Sequence, residues 1–244
     1  TSAQPVLAPF ASEVVAIDET TLDPVARSLP ILRGAKPSDP GLLPGKLATR
    51  FDLRRQLWRT IELIDHPHQN EKVAARSLIA ALPPGSLVLA DLGYFGFQWF
   101  DDLTDAGHWW VSRCRAKTSY RIEHVHDQDD TTLDALVWLG ANRSDMAKHL
   151  VRLVRFRTGQ TERTYLTNVR NPKQLSMGEL AQVYARRWDI ELAVKLVKRE
   201  LGLHLLWQVA TLDAAGADNA LARFRSNRMA GLLMAMACWV AGNA

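Results

Sequence analysis

Two short apolar runs, each ending in an aspartate, constrain the fold of this chain more than any other feature. Residues 14–18 read Val-Val-Ala-Ile-Asp, and residues 87–91 read Leu-Val-Leu-Ala-Asp. Continuous apolar runs of this length are typical of strands that are buried on both faces of a sheet. In open α/β sheets, functional groups gather at the carboxyl ends of the strands. Asp18 and Asp91 are therefore the first candidates for a functional site.

Strand-like and helix-like patterns alternate along most of the chain. The same patterns predict further strands within 46–64, 108–114, 150–157 and 163–169, and helices within 70–82, 95–106, 176–203 and 218–240. Residues 30–46 are rich in proline and glycine, which predicts a loop. This alternation predicts an α/β fold, with a sheet flanked by helices.

Composition excludes several classes of protein. The 244 residues are 47% apolar and 23% charged, which excludes a disordered chain and a coiled-coil rod. The longest uncharged apolar run, Met229–Gly242, is shorter than the roughly 20 residues that span a bilayer, so we expect a buried helix and no membrane partner. Because the chain starts at Thr1, we expect a fragment or a processed product.

Positive charge is mildly in excess and is clustered. The net charge is +4, and residues 151–200 contain eleven Lys and Arg against five Asp and Glu. A second basic run, Arg113, Arg115 and Lys117, contains no acid. The excess is compatible with a nucleic-acid partner but does not require one. Two cysteines make no disulfide framework, which fits a reducing compartment.

A polar stripe follows the helix predicted for residues 176–203. Ser176 and Glu179 form a capping-box pattern at its start. At 100° per residue, five side chains fall within about 80° of one face: Tyr184, Arg187, Glu191, Lys195 and Lys198. One interpretation is a solvated face stabilised by ion pairs four residues apart. The other places Glu191 in a metal site and the cations on phosphates, with Tyr184 either donating to a phosphate or packing in the core.

These residues match the signature of a known family. The spacing Tyr184-x2-Arg187-x3-Glu191-x6-Lys198 resembles the YREK signature of DDE transposases of the insertion-sequence-four type. Residues 17–22 are similar to the segment around the first catalytic aspartate of that family, and residues 89–95 to the segment around the second. The three segments occur in the order that the family has.

The resemblance implies a fold and a metal site. The fold is a ribonuclease-H-like mixed sheet flanked by helices, with a β-rich insertion before the helix of the catalytic glutamate. On this basis residues 1–118 form the first part of the core, 119–175 the insertion, and 176–244 the glutamate helix with the C-terminal helices. Asp18, Asp91 and Glu191 match the catalytic triad, which would bind two divalent metal ions, Mg²⁺ or Mn²⁺.

The resemblance also implies a function and partners. It predicts a transposase that cleaves double-stranded DNA at transposon ends and transfers the strand to a target, as a homodimer on DNA, in the cytoplasm at the nucleoid of a bacterium. Two alternatives stay open. One is a stand-alone metal-dependent nuclease on the same fold, and the other is a non-catalytic DNA-binding remnant of a transposase.

Several basic residues are candidate DNA contacts. Arg187, Lys195 and Lys198 would hold backbone phosphates, because guanidinium and ammonium groups suit phosphate oxygens. The basic run at 113–117 follows Trp109 and Trp110, so it either binds an unstacked base or adjoins a buried tryptophan pair. Further arginines line either a DNA-facing surface or an ordinary strand surface: Arg152, Arg155, Arg157, Arg163 and Arg170.

Overall fold

The fold is known from a computed structural model that describes residues 6–21, 46–64, 71–141 and 144–210. Most of the loop predicted for 30–46 and the whole helix predicted for 218–240 lie outside the described residues, as does the apolar run at 229–242.

The nine strands of the described residues form one mixed sheet. Their bounds are β1 Val14–Thr21, β2 Lys46–Asp52, β3 Leu57–Ile64, β4 Leu87–Ala90, β5 Trp109–Arg113, β6 Tyr120–Gln128, β7 Thr132–Leu139, β8 Val151–Thr158 and β9 Thr161–Thr167. Their order across the sheet is β3-β2-β1-β4-β5-β9-β8-β7-β6. Strands β1, β4 and β5 run parallel, and every other neighbouring pair is antiparallel. The predicted mixed α/β sheet is confirmed.

Four α-helices accompany this sheet within the described residues. They are α1 Glu71–Ala80, α2 Phe97–Asp105, α3 Met177–Ala185 and α4 Trp188–Ala210. Helix α3 begins at the capping box that the sequence predicts, with Ser176 and Glu179 bonded to each other's backbone. None of the helices in the described part of the chain has both the length and the hydropathy needed to cross a bilayer.

The single helix predicted from Ser176 to Leu203 is wrong, because the chain turns between α3 and α4. The backbone N–H of Arg187 donates to the Tyr184 carbonyl oxygen at 3.0 Å, and that of Asp189 to the Arg186 carbonyl oxygen at 3.0 Å. These bonds span three residues, so they tighten the chain relative to an α-helix. The turn brings the guanidinium of Arg187 into a buried position beside Tyr184.

The central strands carry two cores because their side chains alternate between the two faces of the sheet. Val15, Ile17, Val88 and Ala90 belong to the core that α1 and α2 cover. The intervening residues Val14, Ala16, Leu87 and Leu89 belong to the other core, which α3 and α4 cover. Burial on both faces explains why these runs contain no polar side chain before the aspartate.

Strands β6 to β9 extend the same sheet. Strand β9 pairs antiparallel with β5 through Val111 and Thr167, and β8, β7 and β6 follow outward. Side chains of β7, β8 and β9 enter the core on the α1 and α2 face, among them Leu139, Leu153 and Leu166. The segment between β5 and α3 is therefore packed against the rest of the sheet through one continuous hydrophobic cluster.

Arg152 is not available to DNA, because it is fully buried in an ion pair. Its Nε and Nη2 donate to the two carboxylate oxygens of Asp134 at 2.7 and 2.6 Å, and its Nη1 donates to the Leu175 carbonyl oxygen at 2.5 Å. The pair ties β8 to β7 and to the segment before α3. The other arginines of this group are at least partly exposed: Arg155, Arg157, Arg163 and Arg170.

We predict that Arg152→Met destabilises the protein by about 3–5 kcal/mol, because it leaves the Asp134 carboxylate buried without its counter-ion. Urea denaturation followed by circular dichroism measures this change. Arg157→Met is the matched control, since Arg157 pairs with Glu162 at the surface and its loss should cost less than about 1 kcal/mol. Equal losses in the two variants would contradict this account of the buried pair.

Candidate active site

The pairing of β1 with β4 brings two aspartates to the same edge of the sheet. The parallel register aligns Ala16 with Leu89, and two further steps along each chain reach Asp18 and Asp91. Both residues continue the alternation that points Ala16 and Leu89 to the α3 and α4 face. The two carboxylates thus lie at adjacent positions on one face, at the carboxyl ends of parallel strands.

The turn after β4 fixes the Asp91 side chain. Its Oδ1 accepts a hydrogen bond from the backbone N–H of Gly93 at 2.8 Å. Asp91 thereby caps a single 3₁₀ turn, Leu92–Tyr94. A carboxylate held by a backbone donor loses rotamer freedom, so the group stays at the strand end.

Helices α3 and α4 are attached next to both aspartates. The Tyr184 hydroxyl donates to the carbonyl oxygen of Ala90 at 3.3 Å, one residue before Asp91. The Lys198 Nζ donates to the Thr20 Oγ1, two residues after Asp18 and on the same face. Tyr184 is buried, so its side chain packs in the core and its hydroxyl holds the helix to β4.

Glu191 lies on the first turn of α4 and is held by Arg187. The Arg187 Nη1 donates to the Glu191 Oε1 at 2.5 Å, and the glutamate side chain is 24% exposed. Burial acts to lower the pKa of Arg187, but its hydrogen bond to Glu191 and the nearby charges, including that of Asp91, raise the pKa above its usual value. Arg187 therefore lies within electrostatic reach of both Glu191 and Asp91.

The three acids fit a divalent metal in chemistry but are not gathered into a ligand cluster. Carboxylate oxygens are the donors that Mg²⁺ and Mn²⁺ prefer. Among the described residues, no three His, Cys, Asp or Glu side chains lie close enough together to hold a metal ion. Two of the oxygens are engaged within the protein, since Glu191 Oε1 faces Arg187 and Asp91 Oδ1 faces Gly93.

The basic run that begins with the last residue of β5 lies at the same edge of the sheet as the aspartates. The register of β4 with β5 pairs Ala90 with Ser112, so Arg113 lies level with Asp91 and is exposed. The Arg115 Nη2 donates to the Leu92 carbonyl oxygen at 3.2 Å, and its guanidinium lies 5.2 Å from the Phe95 ring centroid. Lys117 is also exposed. Two cations thus flank the turn that Asp91 caps, and a third follows closely.

Trp110 is not available to stack on a base, whereas Trp109 is only partly covered. Trp110 is fully buried and stacks on Phe100 with ring centroids 4.2 Å apart. Trp109 is half-buried and meets the edge of Phe10. The structure therefore supports burial for Trp110 and leaves Trp109 partly accessible.

Two residues of this region escaped the sequence analysis. Thr20 binds Lys198. Its position two residues after Asp18 on a strand indicates that both side chains lie on the same face. Trp188 lies exposed at the start of α4. Its ring centroid lies 5.3 Å from the Arg187 Cζ and 5.8 Å from the Lys195 Nζ. Trp188 lies in the three-residue spacer between Arg187 and Glu191, which the signature leaves unspecified.

Glu19 follows Asp18 without joining the aspartates. Alternation directs its side chain to the opposite face of β1, where Ile17 enters the α1 and α2 core. There Glu19 pairs with Lys46 of β2 at 3.4 Å. The carboxylate at position 19 consequently does not add a fourth acid to the face that carries Asp18.

A comparison with models of protein families identifies the family of the chain. The chain matches the family model described as the transposase DDE domain over residues 10–215, a range that includes Asp18, Asp91 and Glu191. A search of curated proteins found no match to the chain. Because the family model covers most of the sequence, the chain belongs to the transposase DDE domain family.

Proposed function

We propose that this chain is a transposase of the insertion-sequence-four type with a ribonuclease-H-like core, which cleaves DNA at transposon ends and joins the freed strand to a target as a homodimer. The observation that carries the proposal is the parallel register of β1 and β4. It supports a site in which Asp18 and Asp91 lie side by side beneath the helix that bears Glu191. Membership of the transposase DDE domain family supports the reaction class.

In this proposal Asp18, Asp91 and Glu191 hold the metal. Two divalent ions would activate the attacking oxygen and stabilise the leaving oxygen of a phosphodiester. The protein contributes rigid attachment of the ligands, because two carboxylates come from adjacent strands and the third from a helix packed on them. Arg187 holds Glu191 at the edge of this set, so the glutamate must share or release that ion pair when the site fills.

The proposed DNA path follows cations at the same edge, of which Lys198 is partly buried and the other four are exposed. Arg113, Arg115 and Lys117 lie on one side of Asp91, while Lys195 and Lys198 lie on α4. Cations on both sides would hold the phosphate backbone across the carboxylates. Tyr184 and Arg187 are buried, so we assign them to positioning the helix and Glu191 rather than to phosphate contact.

The ion pair between Arg187 and Glu191 also favours a second candidate function. A remnant that binds DNA without catalysis would keep the basic edge while Glu191 serves only as a partner for Arg187. The two functions differ in one measurable property, which is the binding of a divalent metal at Asp91. Cleavage without joining would separate the nuclease alternative from a transposase.

We predict that saturating Mn²⁺ raises the melting temperature of the chain and that Asp91→Asn abolishes the rise. At a hundred times Kd, a ligand that binds only the folded state should raise the melting temperature of a chain this size by about 5–10 °C. Asparagine keeps an oxygen that accepts from Gly93, so the variant tests the charge rather than the turn. Differential scanning fluorimetry gives the readout.

Asp102→Asn is the matched control for this titration. Asp102 lies on α2, on the other face of the sheet, and pairs with Arg76. This variant should respond to Mn²⁺ like the wild type. If Asp91→Asn responds equally, the metal does not bind at Asp91 and the remnant becomes the better account. If the metal binds, joining of a 3′-OH duplex to a plasmid then separates a transposase from a nuclease.

We predict that Arg113→Gln weakens binding to duplex DNA and lowers its salt dependence. Loss of one phosphate contact should reduce the slope of log K against log salt by about 0.9. Fluorescence anisotropy with a labelled duplex at several salt concentrations measures both quantities. Arg121→Gln is the control, because Arg121 lies on the far edge strand β6 in an exposed pair with Glu123. Equal slopes for Arg113→Gln and the wild type would remove Arg113 from the DNA path.

A further inference from the structure

A second concave site lies at the opposite edge of the sheet from the aspartates. It is a cavity of about 560 Å³ between the start of β5 and the segment that follows β9. Trp109 and Arg113 stand at the two ends of β5, four steps of about 3.3 Å apart, or roughly 13 Å. The cavity has the size of a small-molecule pocket and is separate from the carboxylate edge.

The walls of this cavity carry hydrogen-bond donors and no carboxylate among the described residues that line it. Arg170 is exposed there, and no ion pair or hydrogen bond of its side chain occurs within the described residues. The side-chain amides of Asn171 and Gln174 line the same wall. Asp105, which is outside this lining, is engaged by the lining residue His149, whose Nε2 lies 2.6 Å from the Asp105 Oδ1. A ligand here meets an uncompensated positive charge.

One lining residue, His108, carries a buried imidazole nitrogen without a partner among the described residues. His108 is 7% exposed, and its Nδ1 has no hydrogen-bond partner among the described residues. Its neighbour Asn168 is fully engaged, since it accepts from the Trp110 N–H and donates to the His108 carbonyl oxygen. Buried polar groups are nearly always paired, so an unpaired imidazole at a cavity indicates a missing partner. Burial lowers the pKa of His108 because it disfavours the charged imidazole. The Arg170 guanidinium supplies positive charge to the lining.

We propose that this cavity binds a phosphate ester. Arg170 would clamp the phosphate oxygens, because guanidinium presents paired donors that match an oxyanion. The amides of Asn171 and Gln174 supply further donors, and half-buried Trp109 supplies an aromatic wall for the group that the phosphate carries. The phosphate belongs either to a free nucleotide or to the backbone of a DNA strand that passes this edge. Neither source requires the carboxylates of the active site.

Calorimetric titration of the full chain with deoxyadenosine monophosphate tests the site. The wild type should bind the nucleotide saturably and bind deoxyadenosine, which lacks the phosphate, at least tenfold more weakly. Arg170→Gln should weaken nucleotide binding at least tenfold. Arg163→Gln removes the same charge from an exposed position on β9 and should change the affinity less than twofold. An unchanged melting temperature of each variant shows that its fold is intact.

Measuring the binding of duplex DNA by the same variants separates the two sources of phosphate. If the strand backbone is the ligand, Arg170→Gln lowers the affinity for duplex DNA relative to Arg163→Gln, and the nucleotide competes with the duplex. If a free nucleotide is the ligand, only nucleotide binding changes. The proposal is overturned if Arg170→Gln and Arg163→Gln have the same effect on both ligands, or if neither ligand binds in a way that depends on Arg170. Loss of metal binding at Asp91 would leave these outcomes unchanged, so the two proposals fail separately.

Discussion

The parallel pairing of β1 with β4 is the constraint on which the rest of the structure depends. Each strand is buried on both faces, so neither can slip by one residue without exchanging the side chains of two cores. The register is thereby fixed, and with it the level at which Asp18 and Asp91 leave the core. Both acids stand where apolar burial ends and water becomes accessible, so a packing requirement determines the position of two charges.

The turn between α3 and α4 positions the third acid, Glu191, through Arg187. Arg187 lies in this tight turn and is buried, with its guanidinium in contact with the Tyr184 ring and with the Glu191 carboxylate. The Tyr184 hydroxyl, just before the turn, binds the Ala90 carbonyl oxygen of β4. Further along α4, Lys198 binds Thr20 of β1. Four residues of one motif thus hold the helix, its glutamate and the two aspartate strands in a single arrangement.

Sequence patterns predicted those features whose cause is local. The runs before Asp18 and Asp91 are continuous and apolar, so their strands were identified, and the capping box of Ser176 identified the start of α3. The break at Arg186 and Arg187 was missed because the helical periodicity runs through it without a proline or glycine.

The burial of Arg152 was missed because its partner lies 18 residues away on another strand. Pairing of β5 with β9 is equally non-local, and it decides that β6 to β9 extend the sheet. Asp18 and Asp91 were candidates from their strand ends alone, whereas Glu191 joined them through the family resemblance, since periodicity could not separate it from a surface ion pair.

The central claim is that one metal site draws on β1, the end of β4 and the start of α4. Iron-mediated cleavage tests it most directly: Fe²⁺ replaces Mg²⁺, ascorbate and peroxide generate hydroxyl radicals, and mass spectrometry maps the cut backbone. The account predicts three clusters of cuts, around residues 18, 91 and 191, which excess Mg²⁺ suppresses together. Cuts confined to one of these segments, or concentrated elsewhere in the chain, would contradict it.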